Sequence, residues 1–221
     1  MAERKLTILY GSQTGEAQDL AEQIWRESKQ YHFNGTVTAM DNYDVQTLIN
    51  ESTVIFVCST TGQGNEPDNM KAFWKFLLRK SLPANSLAGV NYAVLGIGDS
   101  SYSYFNFVAK RLNKRLQQLG AHAILPIGLC DEQHDLGLSA VSLPWVKDLW
   151  QELLVLSPLQ IGMVKLEETP RPFRWTVDVI SSGNPGESQS KLDRNLDIFA
   201  DYTDAVFDKP FVAEVLVLSL N

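Results

Sequence analysis

The segment Tyr10-Gly11-Ser12-Gln13-Thr14-Gly15-Glu16-Ala17 joins an apolar run to an amphipathic one, and its residue types suit an anion. Hydroxyls at Ser12 and Thr14, with the free N–H groups of a helix starting after Gly15, are donors for a dianionic phosphate. The segment has no Lys or Arg and its glycines stand four apart. It therefore lacks the GxxxxGK[ST] pattern that grips a nucleotide triphosphate and the GxGxxG turn that admits a pyrophosphate. A single phosphomonoester is the group that fits. Two more polar loops follow. Ser59-Thr60-Thr61-Gly62-Gln63-Gly64-Asn65-Glu66-Pro67-Asp68-Asn69 has two glycines that permit backbone conformations closed to other residues. Gly96-Ile97-Gly98-Asp99-Ser100-Ser101-Tyr102-Ser103-Tyr104-Phe105-Asn106 mixes small residues with aromatic ones. Phosphate donors, a pliant glycine loop and an aromatic loop together suit a flat aromatic ring with a phosphorylated tail.

Such loops need a scaffold that brings them to one edge. Apolar runs at Lys5–Tyr10, Gly35–Met40, Thr53–Cys58, Asn91–Gly98 and His122–Leu129 alternate with amphipathic stretches, the pattern of βαβ units around a parallel sheet. Val54–Cys58 and Ala93–Leu95 are apolar throughout, as strands covered on both faces are. Ala17, Leu20, Ala21, Ile24, Trp25 and Ser28 recur at helical steps. Similar stripes run from Asp68 through Phe73, Trp74 and Leu77, and from Phe105 through Leu119 to a stop at Gly120. A last helix carries Trp145, Leu149, Leu153 and Leu154, with Pro144 expected in its first turn. The expected fold class is α/β: a doubly wound, five-stranded parallel sheet with about five helices on both faces. All three loops then leave the carboxyl ends of strands, where open α/β sheets bind ligands.

The chain has 221 residues, of which 44% are hydrophobic and 20% charged, a composition for a packed globule. Its net charge of −7 disfavours a nucleic-acid backbone as partner. No run approaches the about 18 apolar residues of a membrane span, and Met1-Ala2-Glu3-Arg4-Lys5 leads straight into a strand pattern, so a cytoplasmic location is expected. The first domain is expected over 1–156. Residues 157–170, with Pro158, Gly162 and Pro170, read as a linker. Strand patterns then appear at Phe173–Ile180 and from Phe211 to Val217. Two strands cannot bury a core, so 171–221 is expected to be the truncated start of a second domain.

Taken in order, the three loops resemble those of the FMN-binding, flavodoxin-like domain of the diflavin reductases, over residues 5 to about 155. Ser12-Gln13-Thr14-Gly15 matches that family's phosphate loop. Thr60-Thr61-Gly62-Gln63-Gly64 with Pro67-Asp68-Asn69 matches the second loop, and Gly96-Ile97-Gly98-Asp99 through Tyr102 to Phe105-Asn106 the third. The resemblance implies a flavodoxin-like sheet of order 2-1-3-4-5. It puts the FMN phosphate on Ser12, Gln13, Thr14, Gly15, Glu16 and Ala17, and one ring face on Tyr102. Gly62 would stand beside flavin N5, where its carbonyl can turn to accept a hydrogen bond. Ser59, Thr60 and Thr61 would flank the ring from the second loop, and Ile97, Gly98, Asp99, Ser100, Ser101, Ser103, Tyr104, Phe105 and Asn106 from the third. Asp131 and Glu132 would close over the ring edge.

The function so implied is one-electron carriage by FMN. FAD and NADPH are implied for a full-length protein only, with the FAD/NADPH domain in cis, and this chain alone is expected not to oxidise NADPH. The second loop is most similar to the branch of the family that serves cytosolic iron–sulfur protein assembly, which implies an iron–sulfur acceptor of the anamorsin type. FMN domains of the P450 reductase or methionine synthase reductase type, or a cofactor-free flavodoxin-like interaction module, are the alternatives. Two positions depart from the pattern. P450 reductase has a stacking tyrosine where Thr61 stands, which implies a more readily exchanged FMN here. Glu16 replaces a small hydroxyl residue, and its carboxylate is expected to point away from the phosphate.

Charge and thiol placement complete the reading. Glu66, Asp68, Asp99, Asp131, Glu132 and Asp135 fall in the ligand-edge loops, while Lys71, Lys75, Arg79, Lys80, Lys110, Arg111, Lys114 and Arg115 fall on helices. A negative rim that steers a basic partner is expected. Cys58 and Cys130 lie on strands separated by the fourth, about 9.6 Å apart, beyond the ~7 Å limit for a bridge. Gly98-Asp99-Ser100-Ser101 is similar to the nucleophile block of GDSL esterases, but it follows the fourth strand and no Asp-x-x-His pair lies near the end to activate Ser100. His32, His122 and His134 are scattered, and no metal site is expected.

Overall fold

A computed structural model describes residues 4–160 and 162–166, together with the backbone of strands 175–179 and 216–220. The chain forms two compact units, Met1–Glu168 and Thr169–Asn221. In the first, β1 (Lys5–Gly11), β2 (Asn34–Ala39), β3 (Thr53–Ser59) and β4 (Asn91–Gly98) pair in parallel in the order β2-β1-β3-β4. The register aligns Gly11 with Cys58 and Cys58 with Gly96, so the carboxyl ends of β1, β3 and β4 are level.

The fifth position is filled in two pieces where a single strand over His122–Leu129 was expected. β5 (His122–Ala123) and β6 (Gly128–Asp131) both pair with β4 in parallel. Tyr92 opposes Ala123 and Leu95 opposes Gly128, so Ile124–Ile127 bulges out against only Ala93 and Val94. Pro126 explains the break: it has no N–H to give a ladder. Its carbonyl accepts the Trp145 indole N–H at 2.9 Å.

Helices α1 (Glu16–Ser28) and α4 (Ser139–Leu156) cover one face of the sheet, and α2 (Lys71–Leu77) and α3 (Phe107–Gln118) the other. Alternation along β3 explains why that strand is apolar throughout. Ile55 and Val57 join the α1/α4 core, while Val54, Phe56 and Cys58 join the α2/α3 core. Each such side chain, fully buried, contributes about 1.5–3 kcal/mol. Cys58 and Cys130 are buried and free, in opposite cores, with β4 between their strands.

Two helix expectations need correction. Among the described residues there are four α-helices, not five, because the β2–β3 connection makes 3₁₀ turns at Met40–Asn42 and Val45–Asn50. Asp44 caps the second turn by accepting the Gln46 N–H at 3.1 Å. Pro144 sits inside α4 rather than in its first turn. Val141 N–H and Ser142 N–H already donate to the Leu138 carbonyl, so coiling starts before the proline. Burial of Trp145, Leu149, Trp150 and Leu153 sustains the helix past the missing donor.

Part of the expected linker is anchored to the first unit. The Arg4 guanidinium donates to the Ser157 and Pro158 carbonyls. A His32 ring nitrogen bonds the Val164 carbonyl at 2.8 Å, and Leu166 N–H donates to the Gln30 carbonyl at 2.9 Å. In the second unit β7 (Trp175–Val179) and β8 (Leu216–Leu220) pair antiparallel. The remainder of the strand expected from Phe211 lies outside the described residues.

Candidate functional site

The loop after β1 ends at Gly15, whose φ of 114° is a left-handed conformation suited to glycine. Gly15 N–H donates to Ser12 Oγ at 3.0 Å, and Ser12 N–H to Asn69 Oδ1 at 2.9 Å. Gln13 and Asp68 bond reciprocally: the Gln13 amide donates to the Asp68 carboxylate at 3.2 Å, and Asp68 N–H to Gln13 Oε1 at 3.0 Å. These bonds hold the first loop against the second. Beyond them α1 opens with no side-chain cap, so N–H groups of its first turn remain as donors. A Cβ at Gly15 would meet nothing within 4 Å, which shows open space there. An uncapped 13-residue helix with free space at its N-terminus fits a phosphate.

The second loop is a tight turn. Thr61 N–H and Oγ1 both donate to the Asn65 carbonyl, and the Thr61 carbonyl accepts Gly64 N–H and Asn65 N–H. Gly62 and Gly64 take φ of 48° and 86° within it, and a Cβ at Gly64 would stand 3.0 Å from Tyr104 Cγ. Thr60 Oγ1 accepts the Val108 N–H at 3.2 Å, tying this loop to the start of α3.

The third loop folds over Asn106, which is fully buried in a left-handed conformation of φ 53°. Its side-chain amide donates to the Cys130 carbonyl at 2.9 Å and so joins β4's exit to β6. A Cβ at Gly96 would lie 2.6 Å from Asn106 Oδ1, and one at Gly98 2.9 Å from the Asn106 N. These glycines make room for Asn106. Tyr104 packs edge-on against Phe107 at 5.5 Å, whereas Tyr102 is 59% exposed with a face available for stacking.

Thr60, Gly62, Asp99, Tyr102, Tyr104, Phe105, Asn106 and Glu132 line one cleft of about 270 Å³. The structure thus brings half of the second- and third-loop candidates together in this cleft. It places others differently. The side chains of Ala17 and Ile97 are fully buried in the α1/α4 core; only their backbone reaches the edge. Ser59 is buried, with its hydroxyl 3.5 Å from the Gly11 carbonyl. Asp99 and Asp131 brace backbone: Asp99 accepts Ser101 N–H at 2.8 Å, and Asp131 accepts Ser100 N–H at 2.9 Å and Gln133 N–H at 3.0 Å. Asn69 belongs to the site although sequence reasoning assigned it no role. Its position directly after Asp68 in a polar loop was the available signal.

The rim is acidic in part only. Glu66 pairs with Arg111 at 3.1 Å and Asp68 with Lys71 at 2.5 Å, so both are neutralised. Hydrogen bonds, first from Ser101, hold the Asp99 carboxyl below its usual range, and bonds first from Ser100 do the same for Asp131. Glu132 is pushed up, first by burial and then by the Glu16 charge beside it. Among the described residues no group of three or more His, Cys, Asp or Glu is placed to hold a metal ion.

Comparison with known proteins agrees with this geometry. The sequence profile of the family described as Flavodoxin matches residues 8–145. A Xenopus laevis protein named NADPH-dependent diflavin oxidoreductase 1 is 56% identical over 168 residues, covering 76% of this chain and 28% of that protein. One of the same name from Danio rerio is 48% identical over 217 residues, covering 98% of this chain and 36% of its own length. The chain thus spans about a third of the length of these relatives. A flavodoxin structure from Streptococcus pneumoniae superposes with a TM-score of 0.56 at 20% identity, covering 67% of this chain and 99% of that one. Oxidised flavodoxin 1 from Bacillus cereus gives 0.56 at 21% identity, with coverage of 66% and 97%. The sheet order, the loops at its carboxyl edge and the profile match agree: the chain belongs to the flavodoxin family.

Proposed function

We propose that this chain holds FMN at the carboxyl edge of its sheet and serves as the FMN-bearing part of an NADPH-dependent diflavin oxidoreductase. The observation that carries this reading is the joint presence, at one edge, of an uncapped α1 N-terminus and a cleft containing Gly62 and the exposed Tyr102. The hydroxyls of Ser12 and Thr14 and the first-turn N–H groups of α1 hold the phosphate. Tyr102 stacks on the ring, which adds about 1 kcal/mol beyond area burial. Gly62 offers a peptide group to the ring edge. Bound FMN supplies one-electron carriage between a two-electron donor and a one-electron acceptor. The protein's part is to bind, orient and set the local field, and no side chain of the site need act as acid, base or nucleophile.

The names of the relatives support the wider reading, in which an FAD domain of the same polypeptide would take electrons from NADPH and this chain would hold the FMN. Its acceptor is then an iron–sulfur protein of the anamorsin type, in the cytoplasm. Among the described residues no helix is long and apolar enough to cross a membrane.

Titration of the purified chain with FMN, followed by absorbance near 450 nm and by flavin fluorescence, tests the cofactor. Saturable binding is expected, with riboflavin, which lacks the phosphate, binding far more weakly. A folded chain that binds neither, or binds both equally, rejects the proposed phosphate site.

A further inference from the structure

A larger cleft, of about 480 Å³, lies at the opposite edge of the sheet. Val45, Leu48, Phe76, Leu82, Leu87 and Leu119 form its apolar wall, and Ile49 stands 58% exposed beside them. The turn Val45–Asn50 precedes β3, Leu82–Leu87 precedes β4 and Leu119 precedes β5. The cleft therefore opens at the amino ends of the strands, away from the loops described above.

Two polar features interrupt the apolar wall. Ser86 Oγ is buried and finds no hydrogen-bond partner among the described residues, a cost that a docked polar group would remove. Arg79 lies over the Phe76 ring, 4.4 Å from its centroid. Asp44, next to Val45, spends a carboxylate oxygen on the Gln46 N–H.

Charge identifies the occupant. Between Asn69 and Cys130 the sequence has one acid, Asp99, which belongs to the opposite edge. Helices α2 and α3, which carry Lys71, Lys75, Lys110, Arg111, Lys114 and Arg115, pack on the same face of the sheet, while Arg79 and Lys80, expected on a helix, lie just past the end of α2 at Leu77. Lys71 and Arg111 are taken by Asp68 and Glu66. Lys75, Arg79, Lys80 and Lys114 pair with no carboxylate among the described residues. In a chain of net charge −7, Arg79 lines this cleft, and Arg115 stands beside it, donating to the Leu77 carbonyl at 2.7 Å and the Arg79 carbonyl at 3.3 Å. The concave shape suits an inserted side chain better than a lipid surface, which is met by protruding apolar residues. A second copy docking its own acidic rim here would join head to tail, as a ring or a filament, rather than as a two-fold dimer.

We propose that this cleft docks an acidic protein segment bearing an apolar anchor. The anchor fills the space between Ile49, Phe76 and Leu82, a polar group meets Ser86, and flanking carboxylates meet Arg79, Lys75 and Lys80. The site is independent of any cofactor at the other edge.

A fluorescein-labelled peptide, Asp-Glu-Asp-Leu-Phe-Glu-Asp-Glu, is the probe, read by anisotropy and by amide NMR shifts of the full chain. Binding is expected to weaken with salt and to move the Ile49, Leu78 and Ser86 amides. The double variant Lys75→Glu/Arg79→Glu changes exposed residues, and with unchanged circular dichroism and FMN titration it is expected to weaken binding roughly tenfold or more. A peptide with Ser-Ser in place of Leu-Phe is expected to bind at least about tenfold less tightly. The proposal is overturned if the double variant binds as well as the unsubstituted chain, or if the shifted amides lie only in the carboxyl-edge loops. It is equally overturned if phosphatidylserine vesicles or self-association in sedimentation, rather than the peptide, show the dependence on Lys75 and Arg79.

Discussion

At Tyr102 the side chain most suited to stacking is also among the most exposed aromatics, at 59%. Tyr102→Ala is expected to weaken FMN binding about five- to tenfold, the effect of about 1 kcal/mol, without lowering the melting temperature of the apo chain. Fluorescence titration beside a thermal melt separates these outcomes, and equal loss of both would make the ring structural. Thr61→Tyr is the converse case. The Thr61 hydroxyl now closes its own loop on Asn65 at 3.1 Å, and a tyrosine there is expected to tighten FMN; an unchanged dissociation constant would reject the idea that Thr61 leaves one ring face thinly covered. Glu132 gives a pH-dependent prediction. Its folded pKa is raised above the usual 4.5 by burial and then by Glu16, so the folded state holds its proton more tightly than the unfolded one. That stabilisation is complete below about 4.5 and is lost as pH rises through the higher folded value. Glu132→Gln is therefore expected to raise the melting temperature at pH 7 and to change it little at pH 4. Equal changes at both pH values would show that the charge is not the cause.

The elements differ in how far residue pattern alone announces them. Strands β1, β3 and β4 were legible because their apolar runs are buried on both faces, whereas the edge strand β2 buries only Ala39, and the stripe of α1 was legible because Ala17, Ala21, Ile24 and Ser28 all face the core. The broken fifth strand was missed although Pro126 marked it, because an apolar run on either side outweighed one absent donor. Pro144 misled in the other direction, since the core contacts of α4 override a rule about first turns. Within the site, residue types and loop order pointed to the right edge, but the bracing bonds did not show. Gln13 meets Asp68, and Asp131 meets Ser100, only once the loops lie side by side. Asn106 shows the energetic weight of such a brace. Asn106→Ala removes the bond to the Cys130 carbonyl and keeps a left-handed backbone that alanine tolerates poorly, and urea unfolding is expected to show a loss of about 2–4 kcal/mol. Asn106→Gly relieves the backbone strain, so it is expected to lose less. The reverse order would place the cost elsewhere.

In the first unit α2 and α3 carry cations and no acid, while acids stand on α1 and α4 as well as in the loops of the carboxyl edge. A redox partner approaching the FMN edge would meet the acids of those loops first. Their contributions are unequal. Glu66 and Asp68 already face Arg111 and Lys71, whereas Asp99, Asp131 and Glu132 have no cationic side chain in an ion pair among the described residues. Long-range steering depends on net local charge and fades as salt shortens the Debye length from ~30 Å at 0.01 M to ~8 Å at 0.15 M. Neutralising Asp131 and Glu132 together is thus expected to slow reduction of a basic one-electron acceptor such as cytochrome c at low salt, after the FMN-loaded chain is reduced with dithionite. At high salt the double variant and the unsubstituted chain should converge. Neutralising Glu66 and Asp68 instead unmasks Arg111 and Lys71. It makes the same net change, so an equal slowing by both pairs would mean that total charge governs the encounter. A larger effect from Asp131 and Glu132 is expected, because a partner seeking the ring must pass the edge on which they stand.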